Sequence, residues 1–329
     1  MKRLNIAEFA GPLAALVLIV VVVAVTTPSF WSAENFRNIA LQVAVLSVVA
    51  LGATIVIITG GIDLSPGSMI AVLTMVLALT IKTLGQPLWI SVLVTILLGA
   101  LMGALNGTLV AYLRIPAFIV TLAGMSAYKG LALTVPPGSP IFSLSPELGN
   151  LFYGQLVGIP LPFFYVVGLY ALATVVLNFT KFGREIYALG GNEVAARLSG
   201  VRVKWVRMLA YVAAGACTGI GGVLLAARLN SGSPNYGAGI ELLAIAGAVV
   251  GGASLAGGRG HIVNTLVGVL IIVVVQNGLN LNAVSTSVQS VAIGAIILLA
   301  VALDIWRPTV SARVAGLMPT QKLATTTRK

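Results

Sequence analysis

Few side chains in this chain could do chemistry. His261 is the single histidine and Cys217 the single cysteine, which excludes a multi-histidine metal site and an intramolecular disulfide. His261 follows the Gly-rich basic turn Gly258-Arg259-Gly260 with no nucleophile motif beside it, and it reads as a structural residue. No Gly-x-x-x-x-Gly-Lys-Ser/Thr occurs, so the chain has no P-loop in which to cradle ATP. The other polar groups are of a different kind. Asp63 lies in Thr59-Gly60-Gly61-Ile62-Asp63-Leu64-Ser65-Pro66-Gly67, and Asn106, Gln276, Asn277 and Asn280 lie within or beside apolar runs. An amide donates and accepts together, which suits an uncharged, hydroxyl-rich solute and equally a hydrogen bond between two helices. Such groups can recognise and pass a solute. They imply neither catalysis nor a cofactor.

The elements that must position them are set by composition. Of 329 residues, 58% are hydrophobic and 8% charged, with a mean hydropathy of +1.06; soluble domains carry roughly a quarter charged residues. Lipid is the solvent that tolerates so much exposed apolar side chain. The expected fold is all-α, a polytopic membrane protein of about ten transmembrane helices. Candidate spans are 10–27, 39–59, 67–81, 88–113, 115–135, 160–179, 208–227, 240–257, 262–281 and 284–303. Their apolar runs are continuous rather than alternating, which excludes a transmembrane barrel. Lys129 and Glu241 are the charged residues inside them. No clear small-residue cleavage site follows the first run, so it reads as a retained helix and not a signal peptide.

An ionised Asp at the bilayer centre costs roughly 2.5–3.5 kcal/mol on insertion scales. Asp63 is therefore expected at an interface, in a wet cavity, or paired with a cap. Ser65 suits the N-cap of the following helix, and Pro66 its first turn. Gly60, Gly61, Asp63 and Ser65 read either as a structural lock or as gating and solute-contact residues, with Asn106, Gln276 and Asn277 as further candidates along the pathway. A second break, Gly251-Gly252-Ala253-Ser254-Leu255-Ala256-Gly257-Gly258, reads as a broken helix near a pathway or as close helix packing. Gly99, Gly103 and Gly107, Gly215 and Gly219, and Gly247 and Gly251 recur every four residues, a spacing for close packing within the chain or between subunits.

With both ends placed in the cytoplasm, all but Arg37, Lys82, Lys129 and Arg228 of the 19 Lys and Arg fall inside, as the positive-inside rule requires. The net charge of +11 is then an orientation signal and a contact surface for anionic membrane lipid. It is not a nucleic-acid footprint, since no soluble segment is long enough to form a basic domain. Residues 1–308 form one transmembrane domain, and 309–329 a basic cytoplasmic tail expected to be disordered. The longest inner loop, 180–207, has a short helix written into it. Asn192 is a good N-cap, Glu193 complements a helix N-terminus and Gly200 is a good stop. A helix this short needs something to pack against, and Ala195 and Ala196 leave a low surface that fits a groove.

Four stretches, in order, resemble the membrane permease subunit of bacterial ATP-binding-cassette importers for simple sugars, the ribose-type branch. They are Gly60-Gly61-Ile62-Asp63-Leu64-Ser65; Ala117-Phe118-Ile119-Val120-Thr121-Leu122-Ala123-Gly124-Met125; Tyr187-Ala188-Leu189-Gly190-Gly191-Asn192-Glu193 with Leu198-Ser199-Gly200; and the Gly251–Gly258 stretch. The likeness runs from about residue 28 to 305. It implies a multi-pass permease of the bacterial inner membrane, paired with a second permease subunit as a homo- or heterodimer. Its further partners would be a cytoplasmic ATPase and a periplasmic sugar-binding protein. The resemblance makes Asn192, Glu193, Ala195, Ala196, Leu198, Ser199 and Gly200 the coupling helix that docks on the ATPase. Where that family has Glu-Leu-Asp at the eighth span this chain has Glu241-Leu242-Leu243, and where it often has Arg-Gly at the fifth this chain has Lys129-Gly130. A related importer for nucleosides or a sugar-like autoinducer remains open, as does an ion-coupled secondary transporter. The scarcity of intramembrane charge argues against ion coupling.

The orientation is checked by cysteine scanning with a membrane-impermeant reagent. Intact cells are expected to label at 136–159 and to stay unlabelled at 180–207; the reverse pattern would overturn the topology.

Overall fold

A computed structural model describes residues 6–135 and 138–317. Among them, seven helices are long and apolar enough to cross a membrane, and three shorter apolar stretches accompany them. The helices are α1 (Ile6–Thr26), α2 (Ala33–Ile58), α3 (Pro66–Ala78), α4 (Leu88–Ala111), α5 (Ala117–Thr134), α6 (Pro146–Tyr153), α7 (Leu161–Phe179), α8 (Lys181–Gly191), α9 (Glu193–Leu198), α10 (Val203–Leu229), α11 (Ile240–Val250), α12 (Ile262–Leu281) and α13 (Thr286–Leu317). A π-helical turn, Leu79–Thr83, prolongs α3. Four two-residue strands lie in the loops: β1 (Ile141–Phe142), β2 (Gln155–Leu156), β3 (Ile159–Pro160) and β4 (Ser231–Gly232). β1 pairs antiparallel with β4, and β2 with β3.

Local chemistry starts the helices where the sequence places caps. The side chain of Ser32 accepts the amide of Asn35 ahead of α2, and that of Ser145 accepts the amide of Glu147 ahead of α6. Proline takes the first turn of α3, α6 and α7, where its missing N–H is no loss.

α2 is the axis of the fold. Apart from its first turns it is buried almost throughout, against α7, α10, α11 and α12. A helix apolar on every side is one surrounded by others. α10 packs along α2 and, on its other flank, along α4. There the glycine stripes meet: a Cβ on Gly103 would overlap the carbonyl of Tyr211 and crowd Gly215, and one on Gly99 would run into Gly215 and Gly219. Gly247 and Gly251 face Val269, Asn264 and Thr265 of α12 in the same way. Close packing within the chain is thus what these stripes do.

The structure departs from the sequence expectations in four places. The eighth span is not a helix over 240–257. α11 stops at Val250, and 11 residues cover only about 16 Å of a roughly 30 Å hydrocarbon core. The paired glycines 251–252 and 257–258 break it, and positive φ at Gly252, Gly257 and Gly258 makes the return. Next, the loop 180–207 holds two helices and not one. α8 is amphipathic, capped by Thr180, and buries Ile186 and Leu189. The last helix runs on to Leu317, into the segment expected as a tail; residues 318–329 lie outside the described residues, as do Lys2 and Arg3. Finally, Ser65 precedes α3 without capping it by its side chain.

Gly103→Val forces a branched side chain into the α4–α10 contact, and overpacking of this kind costs about 1–3 kcal/mol. Membrane abundance and thermal midpoint in detergent are expected to fall, while Gly130→Ala, where a Cβ meets nothing within 4 Å, leaves both unchanged. Unaltered values for Gly103→Val would mean that the two helices do not pack this closely.

Candidate translocation and coupling site

The break after α2 folds back into the protein. Asp63 is 4% exposed. Its Oδ1 accepts two bonds from Ser65, from the amide at 2.9 Å and the hydroxyl at 2.6 Å. Ser65 Oγ in turn accepts from Asn106 Nδ2 on α4 at 3.0 Å, and Asn106 Oδ1 accepts from the hydroxyl of Tyr128 on α5 at 2.9 Å. Asp63, Ser65, Asn106 and Tyr128 form one buried chain across three elements. Ser65 Oγ turns to the Asp63 carboxylate and to Met69 Sδ at 3.3 Å, and not to a backbone amide of α3, which is why its side chain is no cap. The Tyr211 hydroxyl of α10 lies close to Gly61, buried and with no hydrogen-bond partner among the described residues.

Beside this chain the backbone runs irregularly. After α10, residues 231–237 return along α3 from its middle to its start. Ser233 exchanges bonds with Thr74, its carbonyl accepting from the hydroxyl at 3.4 Å, and Gly237 abuts the carbonyl of Gly67. Lys129 of α5 holds this stretch from the other side, donating from Nζ to the carbonyl of Pro234 at 2.6 Å and to Asn235 Oδ1 at 3.1 Å. α11 then begins with its Glu241 carboxylate against Gly67. The N-termini of α3 and α11 therefore meet where both helices start partway through the bundle. Converging helix N-termini offer unused backbone donors, as at the binding sites of discontinuous transporter helices. A lysine meets the task at position 129, because carbonyl and amide oxygens need a point cation rather than a planar fork.

The second half of the site is α8–α9. Asn192 Oδ1 caps α9 by accepting the amide of Ala195 at 3.0 Å, and Gly200 ends it with φ +84°. Glu193 pairs with Arg197 and with Arg207 of α10, both at 2.6 Å. The Arg207 guanidinium, with Arg197 second, holds the Glu193 carboxyl below its ordinary 4.5 against partial desolvation. A depressed carboxyl contributes stability in full above its unfolded value and loses it only as the pH falls through the lowered one. The strut between α9 and α10 therefore persists through neutral and mildly acidic pH. Ala196 faces inward and is buried in the core cluster beside Val203 and Val206. Val194 (67% exposed) and Leu198 (85%) point outward with Ala195, Ser199 and Gly200. The outward surface of α9 is thus Val194, Ala195 and Leu198, while Ala196 holds the helix down.

The two halves touch through glycine. Gly258 donates its amide to the carbonyl of Ile58 at 2.8 Å. Gly190 has no room for a Cβ against that same carbonyl, Gly257 lies on Gly60, and Gly258 lies on Gly191. The Tyr187 hydroxyl donates to the Gly260 carbonyl at 2.8 Å, and burial pushes its pKa up to about 12, so it remains a donor. Gly60 and the pairs 190–191 and 257–258 are one junction, linking the end of α8 to the Asp63 break. His261 stands at the start of α12 beside it.

Of the amides singled out in the sequence, Asn106 belongs to the Asp63 chain. Asn277 does not: it exchanges two bonds with Asn35, at 3.1 and 2.7 Å, at the other end of α2. It ties α12 to α2. Gln276 is half-buried next to it, and Asn280 accepts from Gln289 at 2.9 Å. Tyr128 as the end of the Asp63 chain and Lys129 as the tie to Pro234 and Asn235 were not legible, since no local spacing links positions so far apart.

This arrangement is that of a helical membrane protein with a broken-helix centre and a short, outward-facing helix at one end. The chain belongs to the branched-chain amino acid transport system / permease component family, whose profile matches residues 35–301. It is a membrane transport subunit. Among its relatives, the ribose import permease protein of Bacillus subtilis (strain 168) is 43% identical over 296 residues, covering 89% of this chain and 92% of that one. The ribose import permease protein of Escherichia coli (strain K12) is 40% identical over the same shares. The L-arabinose transport system permease protein of Escherichia coli (strain K12) is 37% identical over 89% of each chain. No solved structure matches the chain.

Asp63→Asn keeps the shape of the break but removes its charge, and a hydrogen bond to a charged group is worth about 1.5–3 kcal/mol. Uptake is expected to fall roughly tenfold or more with membrane abundance unchanged, and Ser65→Ala, which cuts the middle of the chain, to follow it. Abundance falling in step with uptake would make Asp63 a structural lock and remove it from the pathway.

Proposed function

We propose that this chain is the permease subunit of an ATP-driven importer for a simple, ribose-like sugar. It would be a ten-span protein of the bacterial inner membrane with both termini in the cytoplasm. The observation that carries the reading is identity of about 40% with ribose import permeases along nearly the whole of both chains. The chemistry of the site supports it. Carboxylate, amide and hydroxyl groups around two helix N-termini suit a neutral polyol, which both donates and accepts.

The solute passes beside the Asp63 chain, between this subunit and a second permease subunit. A periplasmic sugar-binding protein delivers it on the face that carries β1, β4 and α6. The chain has no P-loop, so work enters by contact: a cytoplasmic ATPase takes the outward surface of α9 in a groove, as amphipathic helices are recognised elsewhere. Movement of α9 reaches the break through the rigid strut of Glu193 and through the glycine junction, where backbone lies on backbone with no side chain to yield.

Leu198→Glu places an unpaired charge in the expected groove, at a cost of about 3–5 kcal/mol when buried without a partner. Normal membrane levels, loss of the co-purifying ATPase and loss of labelled ribose uptake are expected. Ala196→Glu, with its side chain turned inward, is expected to lower the level of the protein itself. Retained ATPase and uptake in Leu198→Glu would refute the docking surface. Absence of ribose, allose and arabinose uptake in the unmutated importer would refute the substrate class.

A further inference from the structure

A cavity of about 430 Å³ opens where α4 ends and α10 begins, lined by Tyr112, Arg197, Arg202, Val203, Lys204 and Trp205. Its size falls within the roughly 300–1,000 Å³ of small-ligand sites. Three of its six lining residues are cations. Arg197 is engaged by Glu193. Arg202 and Lys204 have no carboxylate within ion-pair distance among the described residues, and Lys204 Nζ rests 5.7 Å over the ring of Tyr112. The first turn of α10 forms one wall, and its positive end adds to the same field. The pocket is built to receive a negative charge, and no acidic side chain among the described residues lines it.

Its surroundings identify the bearer of that charge. Tyr112 and Trp205 are 43% and 44% exposed, the amphipathic aromatics that settle at headgroup depth. Above them on α4, Leu97, Leu101 and Leu105 are exposed at helical spacing and lead down to Tyr112. An apolar stripe ending in a basic, aromatic pocket matches an acyl chain that ends in a phosphate. An acidic protein surface would need the cations but not the stripe. We propose that this pocket binds the headgroup of an anionic phospholipid of the inner leaflet, with an acyl chain along the α4 stripe. The leaflet rests on the topology proposed above; the pocket itself does not. Because Arg197 also pairs with Glu193 of α9, a bound headgroup would brace the base of the ATPase-contacting helix.

The test uses the full-length permease expressed alone and purified in mild detergent with equimolar phosphatidylglycerol and phosphatidylcholine. Retained lipid is counted by mass spectrometry. Selective retention of phosphatidylglycerol is expected, reduced roughly tenfold in Arg202→Gln/Lys204→Gln, since each cation near an anionic headgroup strengthens binding several-fold. Lys204→Arg is expected to keep it, and so is Lys181→Gln, an exposed basic residue elsewhere on that face. The single, exposed Lys204→Gln gives the same reading if the double variant fails to fold. Equal phosphatidylglycerol on wild type and variants would overturn the site, as would an equal loss with Lys181→Gln, which marks diffuse charge. Unchanged lipid with loss of the ATPase in a pull-down would assign the pocket to an acidic protein surface instead. A reversed cysteine-labelling pattern with lipid retention intact would move the site to the other leaflet and leave the pocket standing.

Discussion

The carbonyl of Ile58 ends the central helix α2 and accepts the amide of Gly258, and the end of α2, the end of α8 and the return after α11 are arranged around that bond. A helix that ends among other helices leaves carbonyls that no water can reach, and each must find a donor in the protein. Here the donor arrives from the return after α11, and the end of α8 closes over it. Such proximity is possible because Gly60, Gly190, Gly191, Gly257 and Gly258 have no side chains, with Gly60, Gly257 and Gly258 also at positive φ. Three segments far apart in sequence thus share one backbone contact. The Asp63 chain stands on one side of it and α9 on the other.

Most of the helical frame was legible in the sequence because lipid enforces it: an apolar run of sufficient length has one stable form. The caps of α9 were legible for a different reason, since Asn192 and Gly200 act on their own neighbours. The eighth span was misread because apolarity persists past Val250 while the backbone turns at Gly251 and Gly252, and hydropathy does not register φ. α8 was missed because it is amphipathic, and its buried face, Ile186 and Leu189, is too small to stand out in a polar loop. The inward turn of Ala196 was equally invisible: an alanine gives no sign of which face it occupies until α10 is in place. At the site, Asp63 and Asn106 declared themselves as polar residues in apolar surroundings. Their link through Ser65, and the position of Asn277 at the far end of α2, depend on how whole helices are laid side by side.

α11 bears on how the chain is made. Eleven residues are too few to be taken into lipid as an independent span, and the stretch before it, 231–239, exposes backbone groups that lipid would not accept. Both find their partners on α3, α5 and α12: Thr74, Gly67, Lys129 and the glycine-lined face at Gly268. Two of those helices precede α11 in the chain and one follows it. The partners of this segment are complete only once α12 stands against it, so its place in the bilayer is conferred by its neighbours and not by its own apolarity.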